Sequence, residues 1–165
     1  PPVTTGAACA DLAFVPGSGT SPGVFATVEF YSDPAYARFF DSLTGQPVAS
    51  PIPLGSHAST CRFSADGSRL LVATIQDGTV ALYDWRAGTV MFPEVQHRGA
   101  VHSAVFIPGT SWCVSGDSAG VVQLWDGHTG KLILPPQRHT SGIHDIKVTP
   151  DGRYVLYSPH AGGEL

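Results

Sequence analysis

Apolar and polar residues alternate in short runs along this chain, and nowhere does a helical spacing of apolar residues persist for a dozen residues. Four runs carry apolar pairs two residues apart, Leu12/Phe14, Cys61/Phe63, Ala104/Phe106 and Ile146/Val148. Alternate residues of a strand share a face, so each pair predicts a strand with one inward side. Nearly continuous apolar stretches follow at Phe25-Ala26-Thr27-Val28, Leu70-Leu71-Val72-Ala73-Thr74, Trp112-Cys113-Val114-Ser115 and Arg153-Tyr154-Val155-Leu156-Tyr157. A third set alternates again, at Ala37/Phe39, Val80/Leu82 and Val122/Leu124. Pro16-Gly17, Ala65-Asp66-Gly67, Pro108-Gly109 and Pro150-Asp151-Gly152 separate the first set from the second, and such residues suit tight hairpin turns. The predicted fold class is all-β.

These elements recur with a period. An aromatic residue followed by Asp stands at Phe40-Asp41, Tyr83-Asp84 and Trp125-Asp126, with the Asp residues spaced by 43 and 42. Glycines follow at Gly45, Gly88 and Gly130, and Pro51, Pro93 and Pro135 are each 42 apart. His57, His97 and His139 are spaced by 40 and 42. Five markers keep one order, which is the signature of a repeat architecture.

A repeat of this length closed by an aromatic-Asp pair resembles the WD-repeat β-propeller family; the best match runs from Ser115-Gly116 through Trp125-Asp126 to Thr129-Gly130 and Arg138-His139. The resemblance covers essentially the whole chain and implies radially stacked, four-stranded antiparallel blades. Residues 1–165 then form part of one propeller domain, with blades at 7–53, 56–95 and 99–137 and a partial blade at 141–165. The next aromatic-Asp pair falls due at position 168, beyond Leu165, so the expectation is about three and a half blades cut from a larger ring. The resemblance also implies a hydrogen-bonded network in each blade, joining a His before the first strand, a Ser or Thr, a turn Asp and the closing aromatic. The third repeat supplies His97, Ser115 and Trp125 but has Ala119 at the turn Asp position. The second supplies His57, Asp77 and Tyr83 but has Ala73 for the Ser, and His139 opens the fourth. Both networks are expected to be incomplete, with structural roles for their members. At the rim of the central channel, where partners of the family bind, the corresponding residues are Ala10, Ser59, His102 and His144, with Gln76 and Ser118 on adjacent turns.

Composition narrows the functional classes. Charged residues make up 13% of the chain against a usual ~25%, while 19 Gly and 14 Pro fit a turn-rich fold. The sparse charge suggests a surface covered by further blades or by partners. A net charge of −4 without a Lys/Arg cluster argues against nucleic acid, and no eighteen-residue apolar run or polybasic anchor points to a membrane. An intracellular, cytoplasmic setting is the default expectation. Cys9, Cys61 and Cys113 form no Cys-x-x-Cys pair and are expected as reduced thiols, Cys61 filling the core. His97/His102 and His139/His144 repeat a five-residue spacing, but no Cys, Asp or Glu joins them at ligand spacing, so no metal and no cofactor are expected.

Gly116-Asp117-Ser118-Ala119-Gly120 spells a serine-hydrolase elbow, which requires a strand, a sharp turn and a helix. The following Val-Val-Gln-Leu-Trp-Asp reads as a strand instead, so Ser118 is expected in a hairpin turn and no catalytic residue is assigned. Three functions stay open. The first is a non-catalytic scaffold for protein–protein interaction or a subunit of a larger assembly. The second is a sensory propeller fused to a kinase or nucleotide-binding module, because Thr129-Gly130 through Pro135 looks like the linker of long bacterial WD-repeat arrays. The third is a propeller enzyme acting at the channel mouth.

Overall fold

The computed structural model describes residues 8–15, 17, 22–30 and 34–159, and every helix or strand element among them is a strand. The first sheet joins β1 (Ala8–Val15), β2 (Val24–Phe30), β3 (Tyr36–Asp41) and β4 (Ile52–Pro53) in sequence order. The second contains β5 (Ala58–Phe63), β6 (Arg69–Thr74), β7 (Thr79–Asp84), β8 (Thr89–Val90) and β9 (Val95–Gln96). The third joins β10 (Val101–Phe106), β11 (Trp112–Asp117), β12 (Val121–Asp126) and β13 (Gln137–Arg138). A hairpin of β14 (Ile143–Val148) and β15 (Val155–Pro159) begins a fourth. All pairings within the sheets are antiparallel.

The outermost strand of each blade is present only in pieces. In the second blade β8 and β9 both lie against β7, while in the first and third a single bridge, Phe40 to Pro47 or Trp125 to Leu132, precedes the two-residue strand. Pro51, Pro93 and Pro135 fall in these gaps. A proline donates no ladder hydrogen bond and is tolerated only at a sheet edge, so the periodic prolines both mark and interrupt the edge strand.

The blades hold together through the faces of their strands. Along β6, Leu70 and Val72 turn toward the first blade, in a cluster with Phe39, Cys61 and Trp85, while Leu71 and Ala73 turn toward the third, with Val80, Leu82 and Trp125. Leu70, Leu71 and Leu82 are completely buried, and each contributes roughly 1.5–3 kcal/mol relative to exposure. Ile143, Ile146 and Val114 form the equivalent layer between the third and fourth blades. Leu12 and Phe14 lie on the same strand face as Cys61 and Phe63 in their repeat but are 57% and 56% exposed, which corrects the inward position read from the alternation. That face packs on the preceding blade in later repeats, and for β1 none of the described residues covers it.

Gly116 to Gly120 lies across the β11–β12 hairpin, and no helix follows. Gly120 has φ of 78°, and a Cβ there would come 2.6 Å from His139 O, so this turn requires glycine on both counts.

Candidate functional site

Two polar constellations stand out from the apolar layers. One lies inside the third blade. His97, four residues before β10, has a fully buried side chain that bridges the sheet, its Nε2 lying 2.8 Å from Ser115 Oγ and its Nδ1 3.2 Å from Asp117 Oδ2. Trp125 Nε1–H donates to the same Ser115 Oγ at 3.2 Å. A carboxylate only accepts, so Nδ1 carries the imidazole proton and Nε2 receives the Ser115 hydroxyl proton. Burial disfavours the charged ring and lowers the His97 pKa, although the neighbouring Asp117 pulls in the other direction. Asp117 also accepts from the N–H groups of Val121 (2.8 Å) and Ala119 (3.0 Å) through Oδ1, and of Arg98 (3.2 Å) and Gly99 (3.3 Å) through Oδ2.

The third-blade network is therefore complete, and the expected gap at Ala119 is corrected. Asp117, the last residue of β11, reaches from two positions earlier and performs both turn-capping and histidine-orienting roles. The arrangement has the Ser–His–Asp connectivity of a hydrolytic triad, but Ser115 and Asp117 are 0% exposed and the Ser115 oxygen is occupied by an indole donor. A substrate carbonyl has no approach to Ser115. Ser118 sits exposed in the turn, where its Oγ accepts from Ala100 N–H at 3.1 Å.

Register relocates the second-blade residues. Val101↔Asp117 and Ala104↔Ser115 in the third blade correspond to Ala58↔Thr74 and Cys61↔Val72 in the second, so Val72 and not Ala73 stands where Ser115 does. The cause is one extra residue in the β6–β7 turn, 75–78, against 118–120 between β11 and β12. His57 is displaced as well. Leu54 N–H donates to Ala35 O as His97 N–H does to Gly78 O and His139 N–H to Gly120 O, so Leu54 holds the histidine position. His57 packs its ring 5.3 Å from Phe30, and Asp77 is exposed in the turn. Thr74 Oγ1, in the place of Asp117, accepts Thr79 N–H at 3.1 Å. Leu54, Val72 and Tyr83 together replace the polar set with an apolar one in a single cluster. In the fourth blade Tyr157 stands in Ser115's place, its hydroxyl 3.2 Å from His139 Nδ1. In the first blade Glu29 takes the place of Asp117; it is 2% exposed, binds Arg38 Nε at 2.7 Å and accepts Tyr36 N–H at 3.1 Å. Sequence reasoning missed Glu29 because only the strand register reveals its equivalence.

The second constellation lies where the first strands of the sheets change register. Each first strand changes register at one place, between Cys9 and Asp11, Ala58 and Thr60, Val101 and Ser103, and Ile143 and Asp145. Ala10, Ser59, His102 and His144 are the extra residues of these four bulges, and a bulge bends its strand and re-aims the side chain. They line one pocket of about 420 Å³ with Cys9, Phe30, Ala58 and Ile75. The His102 and His144 rings are stacked, with centroids 5.9 Å apart and planes at 24°. Ser59 Oγ donates toward Val101 O at 2.7 Å, tying the second blade to the third. Gln76 and Ser118 do not line this pocket.

Beneath the bulges runs a polar row, Asp11, Thr60, Ser103 and Asp145, that sequence reasoning also missed although its members follow the rim residues at one interval. Thr60 Oγ1–H donates to Asp11 Oδ2 at 2.8 Å, Cys61 N–H at 3.0 Å, and Arg62 closes an ion pair on the same oxygen. Burial opposes ionisation of Asp11, but the Cys61 and Leu12 amides, Thr60 and Arg62 outweigh it and lower its pKa. Ile146 N–H donates to Ser103 Oγ at 3.1 Å, a link of the same kind between the third and fourth blades. Cys61 and Cys113 are free and buried, and burial pushes the Cys113 thiol up to about 12. No cluster of three metal-ligating side chains occurs among the described residues.

Residues 92–126 match the family described as WD domain, G-beta repeat. Together with the antiparallel sheets that follow one another along the chain, this is consistent with a partial β-propeller that contains a WD repeat. WD repeats generally mediate contacts between proteins, and the family is typically non-catalytic. The chain is also similar in fold to the computationally designed Ika4 protein, at TM-score 0.76 and 21% identity, over 95% of this chain and 88% of that one. The computationally designed Ika8 protein matches at TM-score 0.72 and 19% identity, over 92% of this chain and 43% of that one. No curated protein matches the chain.

Proposed function

We propose that this segment is a non-catalytic scaffold that holds a protein partner at the mouth of its channel, in the reducing interior of the cell. The observation that carries the reading is the fourfold bulge, which brings Ala10, Ser59, His102 and His144 from four separate strands into one pocket. Half-buried Phe30 and Ile75 offer apolar contact, and Ser59 with the two imidazoles offers directed polar contact, the mixture that recognition pockets use. The Ser–His–Asp set of the third blade contributes rigidity to this mouth rather than chemistry, because it is sealed from solvent. The three free cysteines are in keeping with a reducing compartment.

The triple variant Ser59→Glu, His102→Glu and His144→Glu tests the reading. Three carboxylates desolvated without partners cost several kcal/mol in a contact, so capture of the partner should fall at least about tenfold. Circular dichroism should be unchanged, since all three residues sit at bulges outside the apolar layers. Undiminished capture by a folded triple variant refutes the use of the mouth.

A further inference from the structure

At the far end of the first strands from the four bulges, neighbouring blades meet through the turn that follows each first strand. Val15, Ser64, Ile107 and Thr149 open these turns, each four residues after the register change. Gly67, Thr110 and Gly152 close the last three, donating to the carbonyls of Ser64, Ile107 and Thr149. Val15 of the first blade packs on Gly67 of the second, where a Cβ would come 2.6 Å from Val15 Cγ1. Ile107 and Pro108 pack on Gly152 in the same way, where a Cβ would come 2.7 Å from Pro108 O. Between these two tight seams, the second and third blades bring Ser64 and Thr110 to the equivalent places. Ser64 Oγ donates to Asp66 Oδ1 at 2.5 Å and accepts Arg69 N–H at 3.0 Å, while Thr110 Oγ1 donates to Ile107 O at 2.9 Å. Both hydroxyls serve their own hairpins. The seam is left with a cavity of about 340 Å³, walled by Phe63, Phe106, Ile107 and Pro108. Asp66 and Arg69 also line a second cavity of about 270 Å³, which continues the groove to Asp84, Met91 and His128.

We propose that this groove docks an extended segment of a partner protein that carries a large apolar residue and, two positions along, a lysine or arginine. Alternate side chains of an extended segment share a face and lie about 7 Å apart, so one enters each of the two adjoining cavities. The apolar side chain meets the Phe63 and Phe106 rings, both only half-buried. Charge decides the second position. Two carboxylates, Asp66 and Asp84, line the groove with one guanidinium, Arg69, whose Nη1 is held on Gly127 O at 3.3 Å. The Ser64 and Ser68 hydroxyls and the Ser68 amide keep Asp66 ionised, its pKa pushed down to about 2. The surplus is negative, and Met91 offers an apolar wall for the methylene stem of a long cationic side chain. The seam is open by sequence, through Ser64 and Thr110, in two blades whose sheets each hold at least four strands.

The probe is a phage-displayed library of random nine-residue peptides, selected on the chain and counter-selected on its Ala65→Trp variant. Ala65 is exposed on the wall of the cavity, so the indole blocks the groove without removing a buried contact. Circular dichroism checks that the variant is folded, and Thr110→Trp, exposed on the opposite wall, takes its place if it is not. The peptides that survive should share the pattern apolar-x-Lys/Arg. One of them, labelled with fluorescein, should bind saturably by anisotropy and shift the amide resonances of Phe63 and Phe106. Asp66→Asn with Asp84→Asn, which keeps an acceptor oxygen at both turns, should weaken it about tenfold, and glutamate in place of the peptide's basic residue at least as much. The proposal is overturned by a library with no peptide that tells the chain from the blocked variant, by survivors that share an acidic residue instead, or by undiminished binding to the double Asn variant.

Discussion

Replacing Asp117 by Ala removes the acceptor of five donors at once. Val121 N–H is the most costly of these, because Val121 is 4% exposed and its amide, 2.8 Å from Oδ1, has no water to turn to. An orphaned buried amide costs about 1–3 kcal/mol. The Ala119, Arg98 and Gly99 amides lie in turns nearer solvent, where water restores most of what they lose, so they add a few tenths of a kcal/mol each by the same reasoning. His97 loses the carboxylate that holds its tautomer, which loosens the Ser115 and Trp125 hydrogen bonds behind it. The expected total is about 3–5 kcal/mol, a large part of the 5–15 kcal/mol that stabilises a typical domain. Asp117→Asn keeps one carbonyl oxygen for one group of donors but points an amide at the other, and should cost about 1–2 kcal/mol. Urea titration followed by tryptophan fluorescence reads both, since Trp125 sits in the network. Ala119→Asp is the control: it restores the residue that the repeat pattern leads one to expect, on an exposed turn position, and should shift stability by no more than ~0.5 kcal/mol. A parental midpoint for Asp117→Ala, or marked stabilisation by Ala119→Asp, refutes the assignment of the turn carboxylate to Asp117.

Two further outcomes follow from the same geometry. His97 has a folded pKa below its ordinary 6.5, so the unfolded chain takes up a proton that the fold refuses; stability should be complete above pH 6.5 and decline as pH falls below it, until the lowered folded pKa is reached. Urea midpoints at pH 7.5 and 5.5 measure this, and a dependence unchanged in His97→Gln assigns it to another group. Ser118 should take no label from a fluorophosphonate probe, because it lies in a hairpin turn between two strands, where its Oγ accepts from Ala100 N–H; stoichiometric labelling abolished by Ser118→Ala reverses that reading.

The sequence disclosed the fold through its period, and lost the site wherever the period slipped by a residue. Phe40-Asp41, Tyr83-Asp84 and Trp125-Asp126 keep their spacing because each closes a strand whose length the stacking fixes. Turns are free of that constraint. One extra residue in 75–78 moved the Ser115 counterpart from Ala73 to Val72, and the 40-residue interval from His57 to His97, against 42 or 43 elsewhere, was the visible sign that His57 did not belong to the series. Asp117 was hidden differently: a carboxylate at the end of a strand can reach the same hydrogen ring as one placed inside the turn, and spacing alone does not distinguish them. Ser59, His102 and His144 could be singled out by their place in the period, but the bulge that gathers them in one pocket is a matter of register, which no residue type announces.

The distribution of aromatics across the blades follows from the same hydrogen-bond accounting. Tryptophan closes the third blade, where Ser115 can accept its N–H, while Tyr83 and Phe40 close the second and first, where Val72 and Thr27 stand in Ser115's place. An indole buried on Val72 would leave its N–H unsatisfied, at about 1–3 kcal/mol, whereas the Phe40 ring asks for no partner and the Tyr83 hydroxyl, at the edge of its cluster, need not rely on Val72. The replacement is collective: Leu54, Val72 and Tyr83 change together, because a half-satisfied polar network is worse than an apolar layer of the same shape. Thr27 tests the rule from the other side. Its Oγ1 is buried with no partner among the described residues, and the face it shares with Leu12 and Phe14 is the one on which a preceding blade packs in every later repeat. At this position the second blade is thus closed by an apolar set and the third by a polar ring, each complete in its own terms.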